Sequence, residues 1–271
     1  MQMNHPYHPF QPLLTASGQQ CFALTAQQTH ATNSLAGIVH SYLQISTQQP
    51  TPYPMIPDGM QAVFISTGSI QIGGTQPHSL DIQIQQPGDY FGIRFYPGAL
   101  RHFFKLNLSE ITGQFVDSHY FPCEDFAYLN EAVYQHSDFH TRAQTCEQWL
   151  LQHYAPQPPT LFDLALTLIY RFSGNIEVNH LAEKIGISSR HLNRLFQQHT
   201  GLSTKAFAQV IRIQSAYKQL YRQPDQSLTI AEKLGFFDQA HLLREYKRHL
   251  RLNPRALSNR FMSDLSNPQK H

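Results

Sequence analysis

A pattern that occurs twice towards the C-terminal end leaves few folds open. Residues 178–198 read VNHLAEKIGISSRHLNRLFQQ and residues 229–248 read TIAEKLGFFDQAHLLREYKR. Each predicts a short helix, a Gly-centred turn and a second helix, the arrangement that lays one helix in a DNA major groove. In the first copy Leu181, Ala182 and Ile185 share a face, Gly186 can stop the helix in the left-handed region, and Ser188 or Ser189 can cap the next helix. Ile230, Ala231 and Leu234 repeat that face, Gly235 repeats the stop and Asp238 the cap. Ala182 and Ala231 are small where two helices must approach closely.

The second helices divide into two faces. Leu192, Leu195 and Phe196 follow the inward spacing in one, leaving Arg190, Asn193, Arg194 and Gln197 outward. Leu242 and Tyr246 pack inward in the other, leaving Gln239, Ala240, Leu243, Arg244 and Lys247 outward. Arg reads guanine edges and Asn or Gln reads adenine edges through paired hydrogen bonds. Arg194 and Arg244 occupy equivalent places and are the principal candidate base readers, assisted by Arg190, Asn193, Gln239, Ala240 and His241. Lys205, Lys247, Arg248, Arg251 and Arg255 suit phosphates. Such side chains also solvate amphipathic helices, which is an adequate account of either helix alone but a poor one of two matched copies.

These residues, the linking segment TKAFAQVIRIQSAYKQL and the Asn-Pro after the second copy resemble the AraC/XylS-type family of bacterial transcription regulators over residues 161–260. The run G-F-x-D-Q-A-H-x-x-R-E-Y-K-R carries most of that resemblance. It implies a seven-helix domain, two helix-turn-helix units joined by a central helix and reading adjacent major-groove segments of double-stranded DNA. RNA polymerase is a further candidate partner. Thr204 stands where the family usually has Pro, so the linking helix is expected to start less firmly. Arg251 stands where it usually has Gly, which removes the easiest helix stop.

Charge divides the chain at the same place. Residues 1–159 carry 4 Lys/Arg and 10 Asp/Glu, whereas residues 160–271 carry 16 and 8, within an overall net charge of +2. A basic half joined to an acidic half is the footprint of a nucleic-acid-binding domain attached to one with another task. The acidic half is also able to dock on the basic half and mask it. With 271 residues, two cores fit. Domains are expected at 1–155 and 161–271, with a Pro-rich extended linker at 156–160.

Residues 1–20 are expected to be irregular, either packed along the first domain or partly disordered. From residue 37 onward, segments such as HSYLQIS, MQAVFISTG, SIQIGG, SLDIQIQQ and DYFGIRFYP alternate apolar and polar positions with period two. Turn residues separate them at Pro50 to Pro54, at Pro57-Asp58-Gly59, at Gly73-Gly74 and at Pro87-Gly88-Asp89. The fold class expected is therefore α+β: an N-terminal, mostly antiparallel β domain, small and barrel-like with a few helices, followed by an all-α domain. Residues 97–104 predict a helical turn and 124–152 two packed helices. PDGMQAVF, GIRFYPGALRHFF and Glu110 resemble a domain of unknown function often attached to AraC-type domains. That resemblance implies a sensor or dimerisation module and names no ligand.

Arg94, Tyr96, His78 and His102 are the candidate lining of an effector pocket. Arg94 lies in a strand built for burial and needs a carboxylate, with Asp58, Asp89 and Glu110 the candidates. An ion pair fixing the strand-to-helix turn is the plainer reading of Arg94; gripping an anionic effector is the sharper one. No catalytic motif and no cofactor motif is present: no G-x-S-x-G, no HExxH, no phosphate loop. No metal site is expected either. His136 and His140 have helical i, i+4 spacing without a third ligand, and Cys21, Cys123 and Cys146 are scattered. The odd cysteine count and the absence of a charged leader or membrane-length apolar run suggest a cytoplasmic protein. The reading is a DNA-binding regulator responding to a small molecule. The alternative keeps DNA binding and makes the first half a ligand-free protein-interaction or homodimerisation module.

Overall fold

The structure, a computed structural model, describes residues 6–121 and 125–250. A 3-10 turn at Pro12–Leu14 precedes helix α1 (Ala16–Cys21). Strands β1 (Leu24–Thr29), β2 (Val39–Thr47), β3 (Thr51–Met55), β4 (Gln61–Ser66), β5 (Ser69–Gly73), β6 (Leu80–Ile84), β7 (Gly88–Phe95) and β8 (Phe115–Asp117) follow, then helices α2 (Phe126–Tyr134) and α3 (Phe139–His153). Six strands form an antiparallel sheet in the order β1-β2-β7-β4-β5-β8, and β3 pairs with β6 as a separate two-stranded flap.

Alternation gives the large sheet two apolar faces. Tyr42, Ile93 and Val63 lie opposite one another in register and face α2 and α3, where Phe126, Leu129, Cys146 and Trp149 complete the core. One residue along, Leu43, Gly92 and Phe64 face the other way, towards the flap residues Tyr53, Ile82 and Ile84. Strand β2 is consequently buried along nearly its whole length.

Several local expectations give way. Residues 12–21 are helical rather than irregular, and Phe10, Leu13 and Leu14 are drawn into an apolar cluster with Tyr217 and Tyr221. Residues 50–54 were expected to turn, yet Thr51–Met55 is a strand. Pro52 and Pro54 are two apart, so both missing N–H groups lie on the side away from β6, where an edge strand needs no donor. The β4–β5 hairpin turns at Thr67-Gly68, with Gly68 at φ +79°, while Gly73-Gly74, expected as a turn between β5 and β6, closes no hairpin because β6 pairs with β3. Gly74 serves a close approach instead: a Cβ there would lie 2.1 Å from the Ile111 carbonyl oxygen. His136 lies before α3 and His140 within it, so they do not share a helix. Among the described residues no group of three or more His, Cys, Asp or Glu is placed to hold a metal ion. No described helix is long and apolar enough to cross a membrane.

After an irregular, exposed stretch at 155–160 come α4 (Leu161–Arg171), α5 (Val178–Lys184), α6 (Ser189–Thr200), α7 (Thr204–Arg222), α8 (Ser227–Lys233) and α9 (Gln239–Leu250). The seventh helix implied by resemblance would fall outside the described residues. One apolar cluster runs from the large sheet through α4 into α5, α6 and α7; another joins the N-terminal segment and the flap to α7, α8 and α9. The two halves of the chain thus share their cores.

Candidate functional site

The two helix pairs are built alike. The Gly186 and Gly235 backbones adopt φ +75° and +70°, and each N–H bonds back to the preceding helix, at Glu183 O (3.1 Å) and Glu232 O (3.0 Å). The next residue bonds one residue further back, Ile187 N to Ala182 O at 3.1 Å and Phe236 N to Ala231 O at 2.8 Å. Ser188 then accepts from His191 N (3.2 Å) and Asp238 from His241 N (2.5 Å), capping α6 and α9. Both are 12-residue helices, and residue n of α6 matches residue n + 50 of α9.

Their exposed faces carry the candidate readers. Arg190, Arg194 and Gln197 are exposed on α6; Gln239, Ala240, Leu243, Arg244, Lys247 and Arg248 are exposed on α9; Lys205 is exposed near the start of α7. Leu192, Phe196, Leu242 and Tyr246 are buried as their spacing requires. Two candidates have structural work. The Asn193 side-chain oxygen accepts the Thr204 N–H at 3.0 Å, tying α6 to α7, and Ser203 caps α7. The expectation of a loosely started α7 is therefore corrected: Thr204 supplies a donor that Pro would lack. His241 accepts the Phe237 N–H at 3.2 Å and packs edge-on against Phe236 at 5.5 Å, so it braces the turn. Gln239 donates to Ser227 Oγ at 2.7 Å, matching Ser189 to Asn179 in the first unit. Arg251 and Arg255 lie outside the described residues.

The copies differ by one residue. Between the left-handed glycine and the cap stands Ile187 alone in the first turn, but Phe236 and Phe237 in the second. Phe236 is buried, with the Arg212 guanidinium 3.9 Å from its ring centre and Arg212 Nε donating to Leu234 O at 2.8 Å. Phe237 is the inserted residue and is 89% exposed beside the first turn of α9. Aligning the repeats with a gap would have found it, because an exposed aromatic at the tip of a helix has no packing purpose.

Helices α6 and α9 both end against loops of the sheet half. Thr112 Oγ1 donates to Gly201 O at 3.0 Å just past α6, where a Cβ on Gly201 would lie 1.9 Å from that hydroxyl. At the end of α9 the Ser79 N–H donates to His249 O at 2.8 Å, Ser79 Oγ donates to Leu250 O, and His249 Nδ1 meets Pro77 O at 3.1 Å. The two loops are themselves joined, Gly113 N to Thr75 O at 3.0 Å.

The four candidate pocket residues do not share one pocket, although Tyr96 and His102 line the same cleft. Arg94 is buried and pairs with Asp58, which also accepts from Gln11 Nε2 (2.7 Å) and Met60 N (3.0 Å), so the ion pair is the role observed. Of the other candidate carboxylates, Asp89 takes Arg142 at 3.0 Å and Glu110 accepts from Asn107 at 3.1 Å. His102 accepts the Gln157 N–H at 3.0 Å; burial and the neighbouring Arg101 hold its pKa down to about 4, which keeps it a neutral acceptor. Tyr96 lies edge-on to His40 at 5.4 Å and lines a cleft against α4 with His102, while His78 sits near His249. The cavity that sequence reading missed lies elsewhere, between the large sheet and the flap. It has a volume of about 330 Å³, and Leu43, Ile45, Phe64, Ile82, Ile84 and Phe115 are among its lining residues.

Residues 181–260 match the helix-turn-helix domain family, and residues 27–117 match a domain of unknown function, DUF6597. An uncharacterized HTH-type transcriptional regulator of Haemophilus influenzae is 30% identical over 108 residues, 40% of this chain and 36% of that protein. The HTH-type transcriptional activator RhaS of Pectobacterium carotovorum is 26% identical over 92 residues, 34% of this chain and 33% of that one. The chain spans about a third of the length of these relatives. A crystal structure of ToxT from Vibrio cholerae, bound to (E)-4-(8-methylnaphthalen-1-yl)but-3-enoic acid, aligns with a TM-score of 0.44 at 10% identity over 89% of this chain and 99% of that one.

Proposed function

We propose that the chain, whose residues 181–260 match the helix-turn-helix domain family, is an AraC-type, sequence-specific DNA-binding transcription regulator. Residues 161–271 bind DNA and residues 1–155 sense a small molecule. Helices α6 and α9 enter major-groove segments about one duplex turn, roughly 34 Å, apart. The observation that carries this reading is the equivalence of Arg194 and Arg244: each is exposed at the sixth position of a 12-residue helix that follows the same capped turn. Arg190, Gln239 and Ala240 stand beside them in the first turns. Lys205, Lys247 and Arg248 meet phosphates.

Sequences selected from a random duplex pool by the full chain supply the operator for the test. Arg194→Ala and Arg244→Ala are each expected to weaken that site by about 1–3 kcal/mol and to relax specificity at one position. Lys205→Ala should weaken all sequences alike and reduce the salt slope by about 0.9. Equal losses across every operator variant for Arg244→Ala would sink its role as a reader.

A further inference from the structure

Gly92 sits in the middle of β7, between β2 and β4, where strands ordinarily carry a side chain that packs. Neither conformation nor crowding explains it. Its φ is not among the positive ones, and a Cβ there would meet nothing closer than 3.7 Å, ordinary contact distance. What the glycine does is leave the floor of the flap cavity bare between Leu43 and Phe64. Above it the flap contributes Tyr53, Ile82 and Ile84. No Asp, Glu, Lys, Arg or His lines the space. Its polar side chains are amides and hydroxyls, with Gln71, Gln85 and Gln86 exposed at the rim. The nearby Arg94 belongs to an adjoining space and is paired with Asp58.

We propose that this cavity binds an uncharged, largely apolar small molecule lying across Gly92, with a hydrogen-bonding group at the glutamine rim, and that both reading helices respond to its occupancy. A charged ligand would lose its hydration without finding a counter-charge. The route to the helices is short. Strand β6, which lines the cavity, follows directly from Pro77–Ser79, the residues holding the end of α9. Phe115 of β8, also in the lining, follows closely on the loop of Thr112, which holds the end of α6. The two loops bond to each other, so movement of the cavity wall changes the placing of α6 relative to α9. This deepens the sensor half of the regulator reading and rests on that reading for its effect on DNA.

The test uses the full chain, the uncharged dye Nile red, and a competitor pair differing in end-group charge, 1-decanol and decanoate below their aggregation concentrations. Nile red should bind saturably at one site, with 1-decanol displacing it and decanoate about tenfold or more weaker. Gly92→Leu, which fills the floor, should lower dye affinity about tenfold or more while the thermal transition is retained. Ile82→Gln, on the half-exposed flap, makes the wall polar and should lower it too should the leucine variant not fold. Saturating 1-decanol should change operator affinity about fivefold in the wild type and not in Gly92→Leu. Undiminished dye binding in both variants, or equal competition by decanoate, overturns the site. Unchanged operator affinity with decanol bound overturns the coupling. Loss of operator binding in the untreated wild type, with dye binding intact, overturns the DNA reading instead.

Discussion

In the first helix-turn-helix unit α6 begins three residues after its left-handed glycine and carries Arg190, Asn193 and Arg194 on its outer face; in the second α9 begins four residues after, and Phe237, Gln239, Ala240, Leu243, Arg244 and Lys247 are exposed. The backbones are near copies and the outward chemistry is not. The first face is polar, with two arginines and an amide on it. The second sets Arg244 among Phe237, Ala240 and Leu243, apolar groups of a kind able to meet a thymine methyl, with Gln239 and Lys247 also exposed. The supports differ as well. The turn of the first unit is open, so that a Cβ on Gly186 would meet nothing within 4 Å. That of the second is packed on the α4–α5 connection, where a Cβ on Gly235 would lie 2.2 Å from the Asn175 amide. Duplicated folds can therefore be reinforced unequally without changing shape.

The largest expected effect separates the two turns. Gly235→Ala must adopt a left-handed backbone and displace Asn175, and is expected to cost roughly 3 kcal/mol. Gly186→Ala bears only the backbone strain, about 1–2 kcal/mol. Urea unfolding of the two variants measures the difference, and equal losses would remove the asymmetry of support.

Acid should act on the seam beneath the first unit. His102 and His199 of α6 are held neutral, His102 at about 4, by burial first and the Arg101 charge second. In the unfolded chain each imidazole takes up its proton near its ordinary value, so the unfolded state binds more protons below about pH 6.5. Stability present above that pH is lost as pH falls towards 4, on the order of 1–2 kcal/mol by pH 4.5. His102→Gln should flatten this part of the stability–pH curve; a wild-type curve already flat between pH 7 and 4.5 would contradict the assignment.

The smallest effects sharpen the contrast between the outer faces of α6 and α9. Asn193→Ala should cost about 1 kcal/mol of stability by leaving the Thr204 N–H without its acceptor. Phe237→Ala should leave stability unchanged and weaken the operator by about 0.8 kcal/mol, the value of one methyl-sized contact. Replacing thymine by uracil in the second half-site should reproduce that loss in the wild type and add nothing in the variant. A stability loss for Phe237→Ala would make it a packing residue.

The amino-acid order by itself determined the two turns, their caps, the helices around them and the outward set on each helix, because those depend on residues within a few positions of one another. It determined most strands for the same reason, and the buried Arg94 with a carboxylate partner. It could not choose Asp58 over Asp89, since partners 36 and 5 positions away are equally compatible with the pattern. It hid β3, whose prolines announce a turn and are tolerated only because both face away from the one neighbouring strand. The apolar floor at Gly92, the joined loops beneath α6 and α9, and the scattering of the four pocket candidates were decided only by tertiary structure. Strand pairing and the covering flap bring together positions from distant parts of the chain, and no local period records which face a neighbour will cover or leave open.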